Sequence, residues 1–164
     1  MKRLAGSKVL AGLGLERIKS ESCFGALSDR AVAFLLEQGR VFALAAGDTV
    51  FRTGEPGDSF FIVLEGHLDY VHRVDGEDVP IRVIGCGEQL GYVSMIGLFE
   101  RLGIGRAAGP AKVLEIDADL FYRFHIEYPF DFGVMSLNLS RDMARAIREV
   151  VTQLADANAG RISA

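Results

Sequence analysis

The feature that most restricts this chain is a ladder of glycines at the ends of short apolar runs. Gly47-Asp48, Gly54-Glu55, Gly57-Asp58 and Glu65-Gly66 follow one another in order, with 41–45 before them and 49–51 and 59–64 between them. These runs are too short for helices and rich in β-branched and aromatic residues, so they read as strands. Glycine is needed where a tight connection takes φ positive. Residues 68–74 and 79–84 continue the pattern as a hairpin about Asp75-Gly76. Gly85-Cys86-Gly87-Glu88 is a further turn, and 112–116 one more strand. Many short strands, roughly ten residues apart, predict a barrel or sandwich.

The period changes at both ends of this region. Leu4, Leu10, Leu13 and Ile18 give a loose helical pattern, weakened by Gly12 and Gly14. Ser28 is placed to cap a helix whose apolar face is Val32, Leu35 and Leu36 and which ends near Gly39. Residues 92–96 have room for one helical turn. Asp117 caps a helix over 120–126, Pro129 interrupts, and a longer helix runs over about 130–155. On it Met143, Ile147, Val150 and Leu154 recur at spacings of four, three and four, beside Arg141, Arg145, Arg148 and Glu149. This is a coiled-coil-like seam under two heptads long. The helix either lies back on its own roll or pairs with a copy.

A chain of 164 residues, 49% of them hydrophobic, fits one domain with flanking helices. The net charge of −4 argues against a nucleic-acid binder. Residues 1–20 carry Lys2, Arg3, Lys8, Arg17 and Lys19 against Glu16. That arm is either a solvated helix face or a contact for an acidic partner. Cys23 and Cys86 make no disulfide framework and no C-x-x-C pair, which points to a reduced, cytoplasmic setting. The amino terminus is not expected to be a signal, because Lys8 breaks its apolar stretch, and no apolar run is long enough to span a membrane. His67, His72 and His125 are scattered, so no metal or other cofactor is expected. No nucleophile-and-base frame is present, so no enzyme is expected either.

Ile84-Gly85-Cys86-Gly87-Glu88-Gln89-Leu90-Gly91, followed ten residues later by Arg101, adds a second signal to the ladder. With both in place the sequence resembles the cyclic-nucleotide-binding domain family, which includes catabolite activator protein and the regulatory subunits of cyclic-AMP-dependent protein kinase. The resemblance covers roughly 24–154. It implies an α+β fold: an eight-stranded antiparallel β-roll of the double-stranded jelly-roll type, with N-terminal helices and two C-terminal helices. The organisation expected is a helical arm at 1–23, the roll with its closing helices at 24–155, and a frayed tail at 156–164.

The family's phosphate-binding cassette runs Phe-Gly-Glu, a short helix, then Arg-Ser/Thr-Ala. Its Gly falls on Gly91, its helix on Val93-Ser94-Met95-Ile96, and its Arg on Arg101. The chemistry is intelligible: a guanidinium forks onto phosphate oxygens, and amides at a helix start add donors. Otherwise Arg101 is a surface residue paired with Glu100 or Glu88. Departures from the pattern concern Tyr92, where the family has the ribose-binding Glu, and Leu102-Gly103, where it has Ser/Thr-Ala. Gly105 replaces an apolar residue and leaves that wall thin, while Ser94 offers one hydroxyl. The expected ligand site is therefore Gly91, Tyr92, Val93, Ser94, Arg101, Leu102 and Gly103.

The expected function is a regulatory module that binds a cyclic nucleotide, cAMP or cGMP, or a related anion, and repositions its last helix. The first alternative is a degenerate roll without nucleotide, acting in dimerisation or protein contacts; the second is a cupin-like metalloenzyme, disfavoured by the histidine spacing. About ten residues follow Leu154, so no DNA-reading domain is expected after the helix.

Overall fold

Phe60, Ile62 and Leu64 leave one face of β4 (Ser59–Glu65), Phe61 and Val63 leave the other, and all five are buried. A strand covered on both faces reads as a continuous apolar run, which is why 59–64 shows no alternation. The computed structural model describes residues 1–162. Among them nine strands form two antiparallel sheets. One sheet has the order β1 (Lys2–Leu4), β2 (Arg40–Leu44), β9 (Ala111–Asp117), β4, β7 (Gln89–Leu90). The other runs β3 (Thr49–Phe51), β8 (Ile104–Ala107), β5 (Leu68–Val74), β6 (Glu77–Ile84).

The two faces of the first sheet serve two cores. Phe61, Val63 and Val113 point into the roll, against Leu68, Ile84, Leu90 and Phe51. Phe60, Ile62, Leu114 and Ile116 point outward, under a layer of helices. That layer is α1 (Gly6–Leu13), α2 (Leu15–Lys19), α3 (Asp29–Gln38), α5 (Ala118–Glu127) and the first half of α6 (Pro129–Ile162). Inside the roll, α4 (Tyr92–Gly97) links β7 to β8.

Local sequence explains the boundaries. Ser28 Oγ accepts from Ala31 N (3.3 Å) and Asp117 Oδ1 from Leu120 N (2.9 Å), capping α3 and α5. Asp75 and Gly76, at φ +52° and +89°, make the tight β5–β6 turn.

Three expectations change, while the eight strands expected of the roll are present as β2–β9. Lys2–Leu4, part of the supposed helical arm, is a strand that pairs with β2, Leu4 opposite Val41; three residues carry too little periodicity to declare it. α1 and α2 then break at Gly14, whose φ is +80°. β7 and β8 are not located by the residue pattern, although the resemblance sets Gly105 on a strand; β8 contains Gly105 and is held by partners on both sides, β3 and β5. The last helix continues past Ala155 to Ile162, so only 163–164 of the expected tail lie outside the described residues.

Of the basic arm, Arg17 pairs with Glu65 (3.5 Å) and Lys19 with Asp29 (2.5 Å). Both cysteines are free thiols. No helix among the described residues is long and apolar enough to cross a membrane.

Candidate ligand-binding site

Gly91 ends β7 in the left-handed region, φ +94°, and starts α4; a Cβ there would lie 2.5 Å from Arg101 Nη1. Only glycine lets the guanidinium come so close. Arg101 Nη1 donates to Gly91 O (2.8 Å), while Nη2 donates to Ser59 O (2.6 Å) and Ser59 Oγ (3.2 Å). The guanidinium carbon stands 4.5 Å from the centre of the Phe51 ring. The residue is 2% exposed, so it is no surface arginine, and its Nε has no partner. Among the described residues no carboxylate lies within 4 Å of it. Burial pulls its pKa below the ordinary guanidinium value, opposed by the more distant Asp58, Glu115 and Glu55. A buried cation held only by carbonyls, a hydroxyl and a ring is costly, and an anion beside it would offset that cost.

The backbone builds this corner. Arg101 N donates to Glu55 O (2.8 Å) and Gly54 N to Arg101 O (2.9 Å), clipping the loop before β4 to the segment after α4. The Gln89 side chain accepts from Tyr92 N (3.1 Å) and orients the first turn of α4.

The seven residues expected at the site do not share one surface. Gly91 and Arg101 meet as described. Val93 and Leu102 line a cavity of about 560 Å³. Tyr92 does not: its ring packs on Phe60 (5.3 Å) and Phe121 (5.9 Å), in the core under the helices, where burial raises the phenol pKa. An aromatic ring at that position is drawn to the aromatic core, away from the roll. Ser94 is buried beside Gly57. Gly103 lies under Tyr70, whose ring would be 2.7 Å from a Cβ there. The wall at Gly105 is not thin either, because Leu90 and Val50 fill the space a Cβ would take.

The cavity lies between β5, β6, β7 and the distal half of α6. Its floor is largely Tyr70, Val83, Leu90 and Leu102; its roof is Met143, Ile147 and Val150. Three of the four seam residues therefore line the cavity, with Ile147 still 64% exposed, and Leu154, outside it, is 60% exposed. Arg82 on β6 joins floor to roof. Its Nε lies 3.1 Å from Glu149, and its Nη2 lies 3.5 Å from Asp142 and 2.6 Å from Glu88. Asp142 is fully buried, with Oδ2 unpartnered. Arg82, Tyr70 and Ser59 carry no motif of their own, and sequence reasoning passed over them; Ser59 stood inside the glycine ladder as an ordinary strand residue. Among the described residues no three His, Cys, Asp or Glu side chains gather into a metal-binding group.

A profile of the family described as "Cyclic nucleotide-binding domain" matches residues 41–128, more than half of the chain. The chain belongs to the cyclic nucleotide-binding domain family. Within that family it is similar to the CRP-like cAMP-activated global transcriptional regulator of Mycobacterium tuberculosis, at 26% identity over 134 residues. That alignment takes in 81% of this chain and 58% of the regulator's length. The cGMP-dependent protein kinase egl-4 of Caenorhabditis elegans is 33% identical over 79 residues, 46% of this chain and 10% of the kinase. In fold, the chain is similar to the crystal structure of a cyclic nucleotide-binding domain from Methylobacillus flagellatus KT. The TM-score is 0.80 at 20% identity, covering 94% of this chain and 88% of that one. The family is a ligand-binding domain; among the relatives similar to this chain are one named as a kinase and one as a lysophospholipase.

Proposed function

We propose that this chain is a regulatory module, not an enzyme, which binds a cyclic nucleotide between the Gly91–Arg101 corner and the roof helix and transmits the binding to α6. The observation that carries this reading is Arg101: a buried guanidinium without a carboxylate, aligned by Gly91 O and Ser59 O and flanked by residues that line a cavity of about 560 Å³. The phosphate would exchange those carbonyls for its oxygens on the guanidinium, and the base would lie toward Leu90, Val93 and the roof. Arg82 would sense the arrival, because it ties the roof to β6 through Glu149. The nucleotide is the only small-molecule partner this reading needs, with no metal or other cofactor. A cytoplasmic setting fits two free thiols. The relatives' names include both cAMP and cGMP, so they do not choose the base.

A second reading has its own observations. Tyr92 is turned into the core, Leu102 offers no hydroxyl, and the outer α6 residues Val151 and Leu154 are more than half exposed. Those favour a roll without nucleotide that pairs with a copy of itself through α6. Calorimetry with cAMP and cGMP on the parent and on Arg101→Ala and Arg101→Lys tests the choice. Sensing requires measurable binding by the parent, loss of about 2–5 kcal/mol in the alanine variant and an intermediate loss with lysine. Absence of binding by the parent at millimolar nucleotide, with a dimer in light scattering, establishes the second reading instead.

A further inference from the structure

A second concave surface lies on the other side of α4 from the cavity. Met95, Ile96 and Leu98 form one wall of a groove of about 380 Å³, and Phe121, Tyr122 and Phe132 form the other. Its outer edge is unusually apolar for a surface: Leu98 is 90% and Tyr122 66% exposed. Leu98 also adopts φ +55°, a left-handed conformation that a leucine rarely takes, fixed by the bond from Phe99 N to Ser94 O (3.2 Å). The floor is rigid, because Phe121 contacts Phe60 (5.7 Å) and Phe132 (4.9 Å).

His125 lines the groove against the Phe132 ring (4.7 Å), and the exposed charges next to the lining in the chain are acidic: Asp119 follows Ala118, Glu100 stands two residues past Leu98, and the Asp58 carbonyl accepts from Ala118 N (2.9 Å). Among the described residues none of these three is in an ion pair within 4 Å. The nearby cation on α5, Arg123, is engaged by Glu127 (3.7 Å) and Gln38 (2.9 Å). An apolar groove with rigid aromatic walls and a free acidic rim fits a helix with large apolar residues at i, i+3 or i+4 and i+7 and lysine or arginine on its flanks.

We propose that this groove is a docking site for a basic amphipathic helix of a partner protein. The floor ring Phe121 touches Tyr92 at the start of α4, so the docked helix rests on the same short helix that borders the ligand site. The inference does not depend on a nucleotide being bound, and its test is run without one.

The probes are two labelled amphipathic peptides of about 18 residues, roughly five helical turns. Both carry leucine along one face; one has lysine elsewhere and the other glutamate. Fluorescence anisotropy is expected to show saturable binding of the lysine peptide and none of the glutamate peptide. Leu98→Asp and Tyr122→Asp, both on exposed side chains, should each weaken binding about tenfold or more. Glu100→Lys with Asp119→Lys should reverse the preference between peptides. Equal binding of the two peptides, or unchanged affinity in Leu98→Asp, overturns the proposal. So does light scattering that shows the parent self-associated and Leu98→Asp monomeric, which would make a second copy the occupant.

Discussion

The two halves of α6 are held in different ways. Up to Met143 the helix is fastened from several directions. The Asp131 carboxylate accepts from Ser28 N (2.6 Å) and Ser28 Oγ (3.0 Å), Asn138 Nδ2 donates to Gly25 O (2.8 Å), and Met135 and Leu139 are wholly buried. Beyond Met143 the ion pair of Arg82 with Glu149 (3.1 Å) ties the helix to the roll, while Ile147, Val150 and Val151 are each half exposed or more. Elements with little buried apolar area open at low free energy, whereas packed ones open only with the whole fold. One helix thus combines an anchor with a movable roof. A ligand that touches the roof shifts its population without disturbing the anchor.

The largest effect expected from this contrast is on stability. Leu139→Ala should lower the free energy of unfolding by about 2–5 kcal/mol, as truncations in closed cores do. Ile147→Ala, at a position 64% exposed, should change it by about 0.5 kcal/mol or less. Urea denaturation of both variants measures the difference, and equal losses would erase the distinction between the halves.

Next in size is Asp131→Ala, which removes two hydrogen bonds that join α6 to the cap of α3. A loss of about 1–3 kcal/mol is expected. If amide exchange in 130–139 is nevertheless as slow as in the parent, the apolar contacts alone anchor the helix.

Arg82→Gln should act elsewhere. Asp142, fully buried at the end of the anchored half, keeps only Arg145 (3.4 Å), so the global cost should be about 1–3 kcal/mol. Amide exchange over 144–158 should accelerate about tenfold while 130–139 is unchanged. Unchanged exchange over 144–158 would show that Arg82 is no latch.

The smallest signal comes from the thiols. Burial pushes the Cys23 thiol from its ordinary 9.0 up to about 12, and its carbonyl accepts from Asn138 on the anchored half (3.4 Å). Alkylation at pH 8 should spare Cys23 in the folded protein, while a probe thiol from Val151→Cys on the roof reacts promptly. The linkage has a definite sign. A thiol pKa raised in the folded state contributes stability that is whole below about 9 and declines as pH rises toward about 12. Cys23→Ala should flatten that alkaline decline; an unchanged slope would assign it to other groups.

Much of the architecture was legible before any coordinates. Ser28 and Asp117 announce their helices because a short polar side chain before an apolar period has little else to do. Asp75-Gly76 announces its hairpin because only that turn wants two positive φ values in succession. β1, β7 and β8 were silent, since strands of two to four residues, one of them holding Gly105, exist only because neighbours supply the hydrogen bonds. The candidate site was half legible. Gly91 and Arg101 stood out through the resemblance and their spacing, whereas Tyr92 was assigned to the ligand and turned into the core.

The order of residues by itself determined the glycine-punctuated roll, the two caps and the break at Pro129, because each depends on conformational preferences within a few positions. It also set Gly91 and Arg101 at a spacing that lets them meet. Which way Tyr92 faces, that Ser59 holds the guanidinium, and that Arg82 reaches Glu149 from β6 were decided only by the tertiary structure. These contacts join residues 32 to 67 positions apart. Packing of two sheets and a helix layer chose them, and no local preference along the chain encodes a contact of that range.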